Sequence, residues 1–139
     1  MIFCLDTSSN ERLTVALASA DGRLRWHQTV PVHFQQAEKL LAVLDSFLRA
    51  TRVRLARLSG IAVVSGPGGF TSLRIGVITA NTLGYALRIP VFGLRLTDGR
   101  GGMETLAKKA AVKLRQERPD TFVTPFYGRP PHITRAKEL

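Results

Sequence analysis

Residues 60–94 read GIAVVSGPGGFTSLRIGVITANTLGYALRIPVFGL. Ile61, Ala62, Val63 and Val64 form a short apolar run with β-branched members, and Ser65-Gly66-Pro67-Gly68-Gly69 ends it. A strand covered on both faces reads this way. The glycines permit a sharp turn and close backbone approach. Thr71 or Ser72 is placed to cap the helix that follows. Pro90 stops that helix near Leu87 or Arg88, and a second strand runs to Leu94. Strand, helix and strand in this order imply parallel strands joined by a right-handed crossover.

The helix has an unusual face. Gly76, Ala80 and Gly84 are spaced by four and form one smooth stripe, with Leu73, Val77, Leu83 and Leu87 close by. An interior glycine costs about 1 kcal/mol against alanine, so something packs near this helix backbone. Two readings are open: the protein's own sheet, or a helix of another chain. The glycine turn has two readings as well. A helix N-terminus offers free N–H groups to a phosphate. A Walker loop, however, needs Gly-Lys-Ser/Thr where Gly69-Phe70-Thr71 stands, and a dinucleotide fingerprint needs a glycine at Thr71. The other reading is a tight turn.

Upstream, residues 2–6, 13–18 and 23–30 read as three strands. Asp21-Gly22 makes a hairpin turn between the second and third, so they form an antiparallel meander. Asp6-Thr7-Ser8-Ser9-Asn10 joins the first two. These residue types make turns through side chains that bond nearby backbone. Residues 35–50 form an amphipathic helix with Ala37, Leu40, Leu41, Leu44, Phe47 and Leu48 at helical spacing. Asp45 and Arg49 are placed to pair at i, i+4.

Downstream, Arg95 to Gly102 holds three glycines in four residues and reads as a link. Residues 103–117 make a basic helix with Met103, Leu106, Ala107, Ala110 and Leu114 on one face. That face is alanine-rich, which favours packing on the sheet over a membrane surface. In the tail, Pro119, Pro125, Pro130 and Pro131 exclude a regular helix, and Phe122-Val123 has the composition for a short strand. The organisation is then a lobe over 1–98, a linker and helix over 99–118, and a proline-rich basic tail over 119–139.

The 139 residues suffice for one domain with a core. No apolar run of 18 residues is present, so no membrane span is expected. The opening MIFCLDTSSNER lacks a basic n-region and soon turns polar, unlike a secretory leader. Cys4 is the single cysteine, lies in an apolar run, and makes no internal disulfide; a cytoplasmic location fits. Lys and Arg number 20 against 10 Asp and Glu, a net charge of +10. Arg49, Arg52, Arg54 and Arg57 are the densest spot. Such a surface favours polyanions or acidic partners. No aromatic residues interleave with these arginines, so a base-stacking platform is not indicated. His27, His33 and His132 show no metal-ligand spacing.

GPGGFTSLRIGVITANTLGYALRIPVFGL resembles the signature segment of the bacterial tRNA threonylcarbamoyladenosine biosynthesis family TsaB, also called YeaZ. The family reads Gly-Pro-Gly-Ser-Phe-Thr-Gly-Leu-Arg-Ile-Gly there, and residues 66–76 match it except at Gly69 and Ser72. LDTSSNERLTVAL is similar to the family's opening. Pro125-Phe126-Tyr127-Gly128-Arg129-Pro130-Pro131-His132-Ile133-Thr134 fits its closing pattern, Pro-x-Tyr-x-Arg-x-Pro-x-Ile-Thr. The resemblance covers residues 1–94 and about 122–135. Members carry a larger second subdomain between these parts; this chain looks like a shortened form lacking most of it.

The resemblance implies an actin-like, sugar-kinase-like (ribonuclease H-like) α/β lobe. Its mixed sheet has about five strands, three antiparallel and then parallel. It implies a non-catalytic accessory subunit that binds and activates a TsaD-like transferase through its first two helices, with a TsaE-like ATPase joining and tRNA engaged through the complex. Leu40, Leu41, Leu44, Leu73, Arg74, Gly76, Val77, Ala80 and Gly84 are the candidate partner interface. Asp6, Thr7, Ser8, Gly66, Gly68 and Gly69 are candidates for a vestigial phosphate loop. Arg49, Arg52, Arg54 and Arg57 are candidates for RNA contact. No cofactor or metal is expected, and a homodimer of the isolated chain is open. In the transferase a histidine pair binds metal, whereas Ala37 stands four residues after His33, so His33 reads as a turn or interface residue. An enzyme reading lacks a nucleophile–base pair and a Gly-x-Ser-x-Gly elbow. Two rivals remain: a small nucleotide-binding domain using Asp6 and the glycine turn, and a plain RNA-binding module.

Overall fold

Five strands form one mixed sheet in the computed structural model, which describes residues 1–96, 102–116, 118 and 122–128. They are β1 (Ile2–Asp6), β2 (Arg12–Ala18), β3 (Leu24–Pro31), β4 (Gly60–Gly66) and β5 (Val91–Arg95), in the order β3-β2-β1-β4-β5. β1 pairs antiparallel with β2, and β2 with β3; β1–β4 and β4–β5 are parallel. Three helices complete the lobe: α1 (Gln36–Thr51), α2 (Phe70–Leu87) and α3 (Gly102–Leu114). This is the single α/β lobe that the family resemblance implies.

Alternation along the strands divides the core in two. Phe3, Leu5, Leu13, Val15, Leu17, Ile61 and Val63 point to the face covered by α1 and α2. Ile2, Cys4, Ala16, Ala18, Ala62, Val64, Phe92 and Leu94 point to α3. On α3, Leu106, Ala107, Ala110 and Ala111 are buried, and Met103 and Leu114 pack beside them. Small side chains on both sides let helix and sheet approach closely. The basic helix is therefore a sheet-packing helix.

Some boundaries differ from the sequence reading. α2 begins at Phe70 with Gly69 as its cap residue, and neither Thr71 nor Ser72 caps it. The Ser72 hydroxyl instead donates back to Gly69 O at 3.2 Å. On α1 the buried positions are Gln36, Leu40, Leu44, Phe47 and Leu48, while Ala37 and Leu41 are exposed. The apolar stripe is thus narrower than the periodicity implies. Residues 122–128 form an irregular strap without a strand at Phe122-Val123. Much of the glycine link (97–101), Pro119, and the closing motif from Arg129 onward lie outside the described residues.

Both helices on the first face end in the same way. Arg52 and Arg88 adopt left-handed conformations after α1 and α2. Val53 N donates to Leu48 O and Ile89 N to Gly84 O, each at 3.1 Å. These bonds satisfy carbonyls that the helix itself leaves open. Val53 and Ile89 then pack against the core.

Candidate functional site

The parallel strands give the lobe two chemically different ends. At their C-terminal end lie Asp6, the glycine turn after β4, and Arg95. At their N-terminal end lie the arginines in the last turn of α1 and after it.

The candidate phosphate loop is closed on itself. Ser8 donates to Asp6 Oδ1 through its N–H at 2.9 Å and its hydroxyl at 2.6 Å. The Thr7 hydroxyl donates to Ser72 O at 2.7 Å and is buried under α2. Gly69 N donates to Ser8 O at 3.2 Å. A β carbon at Gly68 would lie 2.6 Å from that same carbonyl oxygen. Two loops so close require a residue without a side chain at the contact. The polar groups of the Asp6–Asn10 segment therefore bond loop and helix, as turn-forming residues do.

Asp6 also borders a cavity of about 520 Å³ on the α3 face, beside Arg12, Thr14, His27 and Arg95; Gly66, Gly68 and Gly69 do not line it. Thr14 and Thr29 lie opposite each other in the β2–β3 register, and their hydroxyls are 2.9 Å apart. Asp6 and Thr7 thus leave β1 toward opposite faces of the sheet, so the turn does not converge on one cradle.

The glycine turn is covered by the strap. Phe126 N donates to Ser65 O at 2.7 Å. Gly66 has φ +136, and a β carbon there would overlap the Phe126 carbonyl. The Phe70 and Tyr127 rings lie 4.3 Å apart, and the Arg95 guanidinium sits 3.9 Å from the Phe126 ring centroid. Further along α2, the Asn81 amide takes both backbone groups of Val123: Nδ2 donates to O at 2.9 Å, and Oδ1 accepts from N at 3.0 Å.

Seven of the nine candidate interface residues are buried within the chain itself: Leu40, Leu44, Leu73, Gly76, Val77, Ala80 and Gly84. The small-residue stripe packs on the protein's own sheet. A β carbon at Gly76 would overlap the Thr7 hydroxyl, and one at Gly84 would overlap Val91 Cγ2. Its assignment to a contact with another chain is corrected accordingly. Leu41 and Arg74 face outward. Sequence reasoning missed the residues that share this outer side. Ile78 and Tyr85 are 62% and 78% exposed, and Leu41 on α1 is 64% exposed. Their signal was legible: positions 74, 78 and 85 fall on one helical face opposite the Gly76, Ala80 and Gly84 stripe.

The arginines stand at the other end of the strands. Arg49 Nε lies 3.0 Å from Asp45 Oδ2, the expected i, i+4 pair. Arg52 caps α1, and Arg57 O accepts from the Met1 nitrogen at 3.2 Å. All four side chains are exposed. His33 sits in a left-handed turn (φ 44) with Nδ1 3.3 Å from Glu11 Oε2. Among the described residues no three His, Cys, Asp or Glu side chains come together as a metal site. Cys4 is buried, and burial pushes its thiol up to about 12. A thiol held neutral in this way is not a nucleophile. No helix of the described residues is long and apolar enough to cross a membrane.

The family model described as TsaD, tRNA N6-adenosine threonylcarbamoyltransferase, matches residues 30–119. YeaZ from Pseudomonas aeruginosa is similar in structure, with a TM-score of 0.62 and 32% identity over 68% of this chain and 43% of that one. The TsaB protein of Buchnera aphidicola is 32% identical over 57% of this chain and 35% of its own length. A tRNA N6-adenosine threonylcarbamoyltransferase of Neorickettsia sennetsu is 31% identical over 71% of this chain and 33% of its own. These matches span about a third of each curated relative. By the extent of the model match the chain belongs to the TsaD family, and within it resembles the YeaZ (TsaB) proteins.

Proposed function

We propose that this chain is a non-catalytic accessory subunit in the formation of N6-threonylcarbamoyladenosine on tRNA. In this reading it binds and activates a TsaD-like transferase through α1 and α2. The observation that carries the reading is the outward face of these helices. Leu41, Ile78 and Tyr85 are exposed there, on helices whose other sides are already buried against the sheet. Exposed apolar side chains gathered on one face mark an interaction site when they adjoin one another. A helix pair that presents such a face packs against a second pair as a four-helix bundle. A stable complex of this kind buries roughly 1,200–2,000 Å².

The family description names a transferase, but this chain's own groups favour a partner over a catalyst. Asp6 and Thr7 are engaged within the loop and α2, and the Cys4 thiol is buried and neutral. Arg49, Arg52, Arg54 and Arg57 supply positive surface for tRNA held by the complex, and a TsaE-like ATPase joins the same assembly in the cytoplasm. Co-purification with the transferase of the same organism, followed by size-exclusion chromatography, tests the reading. A one-to-one complex is the expected result. Two folded proteins that elute separately would overturn it.

A further inference from the structure

We propose that the strap 122–128 is part of the partner-docking surface, and that this surface fits a partner helix with an apolar centre and carboxylates near its ends. The proposal rests on the accessory-subunit reading and adds residues and partner chemistry to it. Asn81 lies on α2 between Ile78 and Tyr85, within one turn of each, and its amide holds both backbone groups of Val123. Phe122, the next residue of the strap, is 64% exposed. It therefore lies beside Asn81, next to the outward stripe of α2. The apolar part of the face is then Leu41, Ile78, Tyr85 and Phe122, contributed by three separate segments.

Charge selects the occupant. α2 contains no Asp or Glu, and the strap 122–128 contains no charged residue. Arg74 and Arg88 are exposed near the two ends of α2, and neither has a carboxylate partner in its own helix. An occupant that places carboxylates against these arginines gains in encounter rate and register. A second copy of this chain laid antiparallel, α2 on α2, would bring Arg74 toward Arg88 instead. The surface is thus suited to an acidic partner. Docking also depends on the strap. When Asn81 releases Val123, Phe122 leaves the surface while α2 stays in place.

The test measures affinity for the TsaD-like transferase by calorimetry, with amide hydrogen exchange on the strap in parallel. Phe122→Ser changes an exposed side chain and should weaken binding about fivefold to tenfold with unchanged melting, as a peripheral aromatic anchor does. Asn81→Ala should speed exchange at Val123 and Phe126 and weaken binding to a similar degree. Arg74→Glu with Arg88→Glu should weaken it about tenfold or more at low salt, and less at high salt. A wild-type complex that binds all these variants equally well would overturn the surface alone. A wild-type homodimer broken by Arg74→Glu would overturn the acidic-partner assignment. Absence of any wild-type complex would overturn the accessory reading and this surface with it.

Discussion

Gly76 sits directly on the side chain of Thr7. A β carbon at position 76 would overlap the Thr7 hydroxyl and lie 3.0 Å from its Cγ2. One turn earlier, the same hydroxyl donates to Ser72 O. The loop after β1 is thereby locked to α2 at one of the two places where α2 lacks a side chain. Gly76→Ala should destabilise the fold by about 2 kcal/mol through overpacking. Thr7→Ala removes the two nearest atoms and leaves its β carbon at 3.1 Å, so in the double variant the two costs should fall short of their sum by about 1 kcal/mol. Urea midpoints of the four proteins measure this, and strict additivity would show that Thr7 is not the obstacle.

Much of the fold was legible because local signals agreed with one another. Asp21-Gly22 set the β2–β3 hairpin, Pro90 ended α2, and the apolar run before Gly66 gave a buried strand. Strand order was not legible, because pairing of β1 with β4 joins residues far apart in sequence; the resemblance implied only antiparallel strands followed by parallel ones. The strap was not legible. Its hold depends on one amide of Asn81 meeting one peptide of Val123, 42 residues away. No periodicity records such a contact.

Cys4 gives a pH-dependent prediction with a definite sign. Burial raises its thiol from the ordinary 9.0 to about 12 in the folded chain. Between those values the folded state keeps a proton that the unfolded state has lost. The contribution is therefore fully present below about pH 9 and lost as pH rises toward 12. The stability difference between wild type and Cys4→Ala should be constant below pH 8.5 and shift against wild type above it. Ellman's reagent should label Cys4 in denaturant and leave it intact in the native protein. Rapid native labelling at pH 8 would contradict this burial.

The exposed face of α2 was half legible. The small-residue stripe drew attention to the side of α2 that the chain itself buries. A smooth stripe reports close approach without naming what approaches. Here it is the Thr7 side chain and Val91. The outward residues then follow from the same helical period. Ile78→Glu and Tyr85→Glu should fold with stability within about 0.5 kcal/mol of wild type and lose about tenfold or more in transferase affinity. Ala80→Leu should instead lose cooperative unfolding, since Ala80 is fully buried. Melting curves beside a binding assay separate the two sides of the helix. Normal binding by Ile78→Glu and Tyr85→Glu would remove this face from the interface.

The arginines in the last turn of α1 and after it make a separate prediction, because they stand at the opposite end of the strands from the strap. Arg49 is paired with Asp45 at 3.0 Å, and Arg52, Arg54 and Arg57 have no acidic residue among their immediate sequence neighbours. Each phosphate contact contributes about 0.7–0.9 to the slope of log affinity against log salt. Replacing Arg52, Arg54 and Arg57 together by glutamine should lower the magnitude of that slope for tRNA by about 2 to 3, while transferase affinity stays at the wild-type value. Arg49→Gln alone should change the slope least, since its guanidinium is already partly neutralised. Filter binding of tRNA to the assembled complex across a salt series measures both. An unchanged slope in the triple variant would show that these charges face solvent and leave RNA contact to other surfaces.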